Sequence, residues 1–255
     1  MKLFAIFAAA LFVTGMTARA DDNIDQLLYS KLGQQRNTLA GLNELMKQAE
    51  TELKAKPDDY GLLWMFAALN YYRGEFYSTK PEDKKKYFTL CKDYADKAVK
   101  ANPKGIAGHY WLGVGLAKWA EANGVLYSLF SADDILNQMT IVINMDPTYF
   151  KGLPFAIRAS VYALAPGIIS VGDWAKARAD IASALKYGKD YRSNYLIIAD
   201  IYISWGEWNN AAKMIEEGLA LPYDKRLPLE ENDCIAKLKL RQAKVDVELA
   251  KNRKK

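Results

Sequence analysis

The chain has 255 residues, of which 51% are hydrophobic and 25% charged, a composition typical of a globular protein with a substantial core. Its two cysteines are too few for a disulfide scaffold, and its single histidine excludes a histidine-rich metal site. The 35 basic and 30 acidic residues give a net charge of +5, which points to no particular partner, so no nucleic-acid ligand is expected.

Residues 1–20 have the pattern of a secretory signal peptide. Lys2 is followed by an almost unbroken apolar run, and a small-residue cleavage site ends at Ala20. The run is shorter than the ~20 residues of a membrane-spanning helix, so a retained anchor is the less favoured alternative. No cysteine lies near the cleavage point, and a lipid anchor is not predicted. We therefore expect cleavage after Ala20 and a periplasmic protein without a membrane span, in which residues 21–255 form a single domain.

The first segment of this domain, residues 22–56, predicts one or two amphipathic helices, because its leucines recur at helical spacing. Pro57-Asp58-Asp59 is expected to end this segment and to start the next helix, since proline and aspartate favour helix starts. Four helical hairpins are predicted to follow. Their helices are expected at 60–73 and from the 80–83 loop to 102, at 106–122 and 131–145, at 155–164 and 174–187, and at 193–204 and 208–219.

The second helix of each predicted hairpin carries a small residue at an equivalent position. These residues are Ala98, Val142, Ala184 and Gly218. The intervals between them are 44, 42 and 34 residues, and the last equals the tetratricopeptide period of about 34. The longer intervals place extra residues inside the hairpins, at 74–86, 123–132 and 166–173. The sequence therefore predicts an all-α fold of tetratricopeptide-like helical-hairpin repeats, about four pairs, behind N-terminal helices.

The C-terminal part carries apolar residues at alternating spacings of three and four between 232 and 251, which predicts a capping helix over the end of the repeats. The basic tail 251–255 either contacts an anionic surface or frays in solvent. Two alternatives are open for Cys91 and Cys234. They form one bridge, or each is a buried thiol in a helix.

The residues offer no combination of groups that would make an enzyme. His109 has no defined partner nearby in sequence and is expected to be a packed or capping histidine. Gly113 and Gly115 lie in a helical pattern, where they favour close helix contact over phosphate binding. Ser131 is expected to cap a helix that has Asp133 and Asp134 in its first turn. We predict no catalytic activity, no cofactor and no metal site.

Seven residues are candidate contacts to a ligand or partner. They are Trp119, Tyr127, Phe130, Tyr149, Phe155, Arg158 and Tyr162. Tyr127 and Phe130 lie in an apolar insertion, where a ligand cavity or a subunit contact competes with the core. Burying one such ring contributes about 1.5–3 kcal/mol, so the insertion is expected to leave water. For Tyr162 a core position is favoured. Arg158 either meets a ligand carboxylate or is a surface or helix-pairing arginine.

Several segments between residues 110 and 222 resemble one known family. They are Lys118-Trp-Ala-Glu-Ala-Asn-Gly124, Asp146-Pro-Thr-Tyr-Phe-Lys-Gly152 with Pro154, Ala165-Pro-Gly167 followed by Gly172-Asp173, and the last hairpin. In this order they resemble the T-component of tripartite ATP-independent periplasmic (TRAP) transporters. The resemblance implies a helical homo-oligomer, such as a trimer, with an apolar cavity for a small hydrophobic or carboxylate ligand. It also implies binding to the transporter's periplasmic solute-binding protein. The alternative is a periplasmic helical-repeat scaffold for protein–protein interaction, without a small-molecule ligand.

Overall fold

The computed structural model describes residues 24–30, 33–165 and 171–252, and these ranges are built from α-helices and short turns. The predicted signal peptide and residues 166–170 of the insertion predicted at 166–173 lie outside the described residues. Within the described ranges there is no strand, and no helix has the length and apolar character needed to span a membrane.

The helices follow the predicted order. They are α1 (Ile24–Tyr29), α2 (Leu39–Ala55), α3 (Tyr60–Phe76), α4 (Pro81–Ala101), α5 (Ile106–Asn123), α6 (Val125–Met145), α7 (Leu153–Leu164), α8 (Trp174–Tyr187), α9 (Arg192–Ser204), α10 (Trp208–Ala220) and α11 (Pro228–Asn252). Short 3₁₀ turns, Gly33–Asn37 and Tyr149–Gly152, precede α2 and α7. The chain forms two compact units, 1–138 and 139–255, and the division falls inside α6. That residues 21–255 form a single domain remains a prediction.

Helix starts agree with the sequence where a capping residue is present. The Asp59 carboxylate accepts a hydrogen bond of 3.0 Å from the Leu62 amide and starts α3, as predicted. Asp173 caps α8 in the same way, and α8 has both of its predicted ends. One predicted boundary is wrong, because α4 begins at Pro81 rather than after a loop through Asp83. Proline suits the first turn of a helix, where its missing N–H has no intrahelical role.

In the first unit, α3 packs against α4 and α4 packs against α5, so that consecutive helices form the layers. Most residues of α3 and α5 are buried, which explains why their sequences are apolar on nearly every side. A Cβ on Gly115 would lie 2.8 Å from the Lys92 Cα in α4. Gly115 therefore permits the close helix contact that was predicted for it.

In the second unit, α7 pairs with α8, α9 pairs with α10, and α11 packs on both helices of the last pair. The small residues that defined the repeat are buried in both units. Ala98, Val142 and Ala184 have no exposed surface, and Gly218 is also buried. These positions allow the paired helices to approach closely, which is how helical-hairpin repeats stack.

The insertion predicted between α5 and α6 is helical instead. Gly124, with φ of 106°, separates the two helices by a single residue, and α6 begins at Val125. Ser131 is buried inside α6 and does not cap it, so that prediction was wrong. The insertion lacks proline, and one glycine with a positive φ is enough to end α5 directly before α6.

Both cysteines are free and buried, so the structure shows the buried-thiol alternative. Burial raises the pKa of the Cys91 thiol well above its usual range and raises the pKa of Cys234 to about 11. Because the folded-state pKa values are raised, the protonated thiols favour the folded state at neutral pH. For Cys234 this contribution is present below pH of about 9 and is lost as the pH rises towards about 11.

We expect neither thiol to react with iodoacetamide in the folded protein at pH 8, since the reactive thiolate is absent and both sulfurs are buried. Mass spectrometry should show no adduct on the folded chain and two adducts after unfolding in guanidinium without reductant. Rapid labelling of the folded protein would contradict the prediction. A bridged chain would instead need reductant before it could be labelled.

Candidate functional site

The first turns of α6 carry the α6 ridge, which we define as Leu126, Tyr127 and Phe130. Phe130 is 81% exposed, Leu126 is 67% exposed and Tyr127 is 47% exposed. Leu126 and Phe130 are one helical turn apart and therefore lie on the same face of α6. The ridge faces solvent in the isolated chain, so the expectation that this segment leaves water requires a contact with another molecule and stays a prediction.

The base of the ridge is packed against α5. The rings of Trp119 and Tyr127 meet edge to face, with 5.2 Å between their centroids. The Lys92 ammonium lies 5.5 Å from the centre of the Trp119 ring. Three predicted contact residues thus belong to one surface of the first unit, namely Trp119, Tyr127 and Phe130.

Arg158 pairs two helices of the second unit. Its Nε and Nη2 each donate a hydrogen bond of 2.8 Å to the Asp180 carboxylate, and its Nη1 donates one of 3.0 Å to the Thr140 hydroxyl. The hydrogen-bonded Asp180 carboxylate raises the pKa of Arg158 above its ordinary value. Asp180 is buried and Arg158 nearly so. Of the alternatives for Arg158, namely a ligand contact, a surface position and helix pairing, the structure shows helix pairing.

Phe155 and Tyr162 lie elsewhere on α7. Phe155 is buried, and its ring stacks on that of Tyr187 in α8 at 5.6 Å. The Arg158 guanidinium lies 5.7 Å from the centre of the Phe155 ring, so these two predicted residues are in contact. Tyr162 is half-buried, and the Lys176 ammonium lies 5.5 Å from its ring centre. Tyr162 therefore lies at the edge of the core rather than fully inside it, as the sequence had favoured.

The turn Tyr149–Gly152 has an uncommon backbone. Phe150 and Lys151 have φ of 47° and 53°, and Gly152 follows with φ of 69°. A side chain in this left-handed region costs of order 1–3 kcal/mol unless its surroundings stabilise it. Here the Asn194 amide donates hydrogen bonds to the carbonyl oxygens of Lys151, at 3.0 Å, and Gly188, at 3.1 Å. Tyr149, also a predicted contact residue, is buried at the start of this turn.

The sequence predictions missed an aromatic cluster in the second unit. Trp174 is 56% exposed, and its ring centroid lies 5.1 Å from that of Trp205. The Arg178 guanidinium lies 4.6 Å from the centre of the Trp205 ring and forms an ion pair with Glu207. The hydrogen bonds from Arg178 hold the pKa of Glu207 below its usual value. Trp174 and Arg178 are four residues apart on one helix, and that spacing was the available signal.

In the part of the chain that the structure describes, the potential metal ligands are not clustered and the histidine is packed. No group of three His, Cys, Asp or Glu residues is arranged to hold a metal ion there. His109 is buried, with Nδ1 2.7 Å from the Gln138 side-chain oxygen and Nε2 3.0 Å from the Pro103 carbonyl oxygen. This is the packed histidine that the sequence predicted.

Comparison with solved structures supports the repeat fold. The crystal structure of a thermophilic tetratricopeptide-repeat protein from Thermus thermophilus superposes with a TM-score of 0.60 and 19% sequence identity. The match covers 88% of this chain and 100% of that one. At this identity the likeness shows the fold alone, and it confirms the predicted all-α, tetratricopeptide-like architecture.

Comparisons at the level of sequence give a different family from the one that the motifs resemble. No curated protein matches the chain. Neither the family model that matches the chain nor the Thermus structure supports the resemblance to TRAP transporter T-components, which stays a prediction. The model of the family described as regulator of microtubule dynamics protein 1-3 matches residues 22–152, just over half of the chain, and the chain therefore belongs to this family.

Proposed function

We propose that this protein is a helical-repeat scaffold that binds another protein through the α6 ridge. The observation that carries the proposal is the 81% exposure of Phe130 beside exposed Leu126 in the first turns of α6. Contiguous exposed apolar patches occur at protein interaction surfaces. The ridge also lies within residues 22–152, the part of the chain that the family model matches.

The ridge has the composition and support of a contact surface. Tyr, Trp and Phe are enriched in the buried centres of protein interfaces, and the ridge combines Tyr127 and Phe130 with Trp119 at its base. Burying Leu126 and Phe130 against a partner would contribute roughly 1.5–3 kcal/mol for each side chain. The packed Trp119–Tyr127 pair limits the motion of the base, so less side-chain freedom is lost on binding.

The partner of this ridge is proposed to be a second copy of the chain, in a homo-oligomer such as a trimer. In a trimer, the three ridges would meet around the three-fold axis and leave water together. The more specific proposal is that a TRAP solute-binding protein also binds here. Its support is the sequence resemblance alone, which includes residues 118–124 directly before the ridge. Export through cleavage after Ala20 belongs to the same proposal, and an intact mass beginning at Asp21 would test it.

Replacing Phe130 by aspartate is expected to weaken self-association at least about tenfold, because a charged side chain would be buried in the contact. Sedimentation velocity over a concentration series measures this change. Circular dichroism should remain unchanged, since Phe130 makes little contact within its own chain. Tyr223→Asp, which alters an exposed aromatic residue far along the sequence, is the matched control and should associate like the parent protein.

A monomeric parent protein at high micromolar concentration would overturn the proposed homo-oligomer. In that case, the solute-binding protein is tested as an immobilised partner with the same two variants. If the parent binds neither protein, or if Phe130→Asp behaves like the parent in both assays, the ridge is not the docking surface.

A further inference from the structure

The capping helix α11 carries apolar residues on two opposite faces. One face, which includes Cys234, Leu238 and Val245, is buried against its own unit. The opposite face carries the α11 stripe, which is exposed throughout. The stripe consists of Ala236, Leu240, Ala243, Val247 and Ala250. Leu240 is 69% exposed and Val247 is 53% exposed, although both are large branched apolar residues.

The spacing of the stripe is that of a helix–helix seam. Its members follow one another at intervals of four, three, four and three residues, which is the a/d pattern of a heptad repeat. The stripe extends for about 21 Å along the helix axis. The branched side chains alternate with alanines, so a second helix could place its own side chains between Leu240 and Val247. A flat or extended partner would not match this periodicity.

The position of the stripe in the fold strengthens this interpretation. A terminal element of a repeat protein normally presents a polar outer face, because nothing further stacks on it. Here α11 packs on α9 and α10 with one face and presents a second apolar face to solvent. We infer that the α11 stripe is the docking site for an acidic amphipathic helix of a partner protein. This inference is independent of the α6 ridge.

The charges beside the stripe define the chemistry of the partner. Between residues 237 and 251 the helix has four basic and two acidic residues besides Arg241, which pairs with Asp200 at 2.9 Å. Lys237, Lys244 and Lys251 recur every seven residues along one edge of the stripe. Within the described residues, Lys239 and Lys244 form no ion pair, whereas Lys237 pairs with Asp233 at 2.7 Å and Lys251 with Glu248 at 2.6 Å. Glutamates or aspartates beside the partner's apolar residues would therefore find lysines to pair with.

The same charges disfavour a second copy of α11 as the occupant. In a parallel pair, Lys239 of one chain would face Lys244 of the other, with Asp246 and Lys251 as the single favourable contact. In an antiparallel pair, the edges formed by Lys237, Lys244 and Lys251 would meet each other. Like charges across a helix pair repel and set partner choice, so a partner of opposite charge is preferred.

The probe for this site is a synthetic three-heptad peptide with alternating leucine and alanine along its seam and glutamate on both flanks. Its twin has lysine in place of each glutamate. Fluorescence anisotropy with the full protein is expected to show binding of the glutamate peptide at least about tenfold tighter than binding of the lysine peptide. Added salt should reduce this difference, because the flanking charges are exposed to solvent.

Two variants on the same helix separate the stripe from its surroundings. Leu240→Glu should weaken binding of the glutamate peptide by about tenfold or more, since it removes the larger apolar contact. Gln242→Glu adds the same charge to an exposed position outside the stripe and should have a much smaller effect. The double variant Lys239→Glu, Lys244→Glu should reverse the preference and bind the lysine peptide more tightly.

Several outcomes would overturn the inference. One is the absence of binding to the glutamate peptide, and another is equal binding by the Leu240→Glu and Gln242→Glu variants. Self-association that Leu240→Glu abolishes, without peptide binding, would identify a second copy as the occupant. Binding to phosphatidylserine–phosphatidylcholine vesicles that requires Leu240, again without peptide binding, would identify a lipid surface. Circular dichroism of each variant confirms that the comparison is made between folded proteins.

Discussion

Replacing Gly188 by alanine is expected to lower the free energy of unfolding by about 3 kcal/mol or more. A Cβ at this position would overlap the carbonyl oxygen of Lys151 and the side-chain nitrogen of Asn194. Neither atom can move freely, because the Asn194 amide is buried and already donates to the Lys151 and Gly188 carbonyl oxygens. The substitution is therefore expected to displace the left-handed turn and to break the hydrogen bonds that Asn194 donates to it.

Urea unfolding followed by tryptophan fluorescence measures the change. The matched control is Gly206→Ala. Gly206 has φ of 71°, but a Cβ there would meet no atom within 4 Å, so only a backbone cost of about 1 kcal/mol is expected. If the two variants lost the same free energy, close packing at Gly188 would not be the cause. An unaffected Gly188→Ala protein would show that the approach of Lys151 is not required.

Replacing Asp180 by alanine is expected to cost about 3–5 kcal/mol of unfolding free energy. The Asp180 carboxylate accepts two hydrogen bonds from Arg158, and its removal leaves a largely buried guanidinium without its counter-ion. The Thr140 hydroxyl accepts only one hydrogen bond from Arg158 and carries no charge to replace it. The loss should appear in the same urea unfolding experiment.

The pair Lys151–Asp190 provides the control for this prediction. Its nitrogen and oxygen are 2.8 Å apart, but both side chains are open to solvent. Asp190→Ala should therefore cost no more than about 1 kcal/mol. The double variant Arg158→Met, Asp180→Leu should recover most of the stability lost by Asp180→Ala, because no unpaired charge remains. A double variant as unstable as the single one would contradict the unpaired-charge explanation.

The sequence predicts helices well where local signals are explicit. Asp173 before Trp174 and Gly188 after Tyr187 give α8 its observed ends. The periodic small residues identify the hairpins because close packing of paired helices admits few other side chains. The sequence fails between α5 and α6, where a single glycine replaces an expected loop. Nothing local distinguishes an apolar loop from an apolar first turn, so the start of α6 could not be read from residues 124–130.

The candidate site is less predictable than the fold because exposure depends on distant elements. Phe130 has the sequence signature of a core residue, and it is exposed because no helix in the described part of its own unit covers it. The Trp174–Trp205 contact depends on the path of the chain between α8 and α9. For Arg158 the alternatives were identified correctly, but the choice required the position of Asp180, 22 residues later.

The left-handed turn at Phe150–Gly152 has a consequence for how the chain can be divided. The amide that holds this turn belongs to Asn194, 43 residues after Lys151. Any fragment that ends before α9 keeps the turn sequence but lacks the side chain that stabilises its backbone. The turn before α7 therefore keeps its stabilising hydrogen bond only when α9 is present. A hairpin of this second unit cannot be shortened, duplicated or exchanged alone without losing the contact to Asn194.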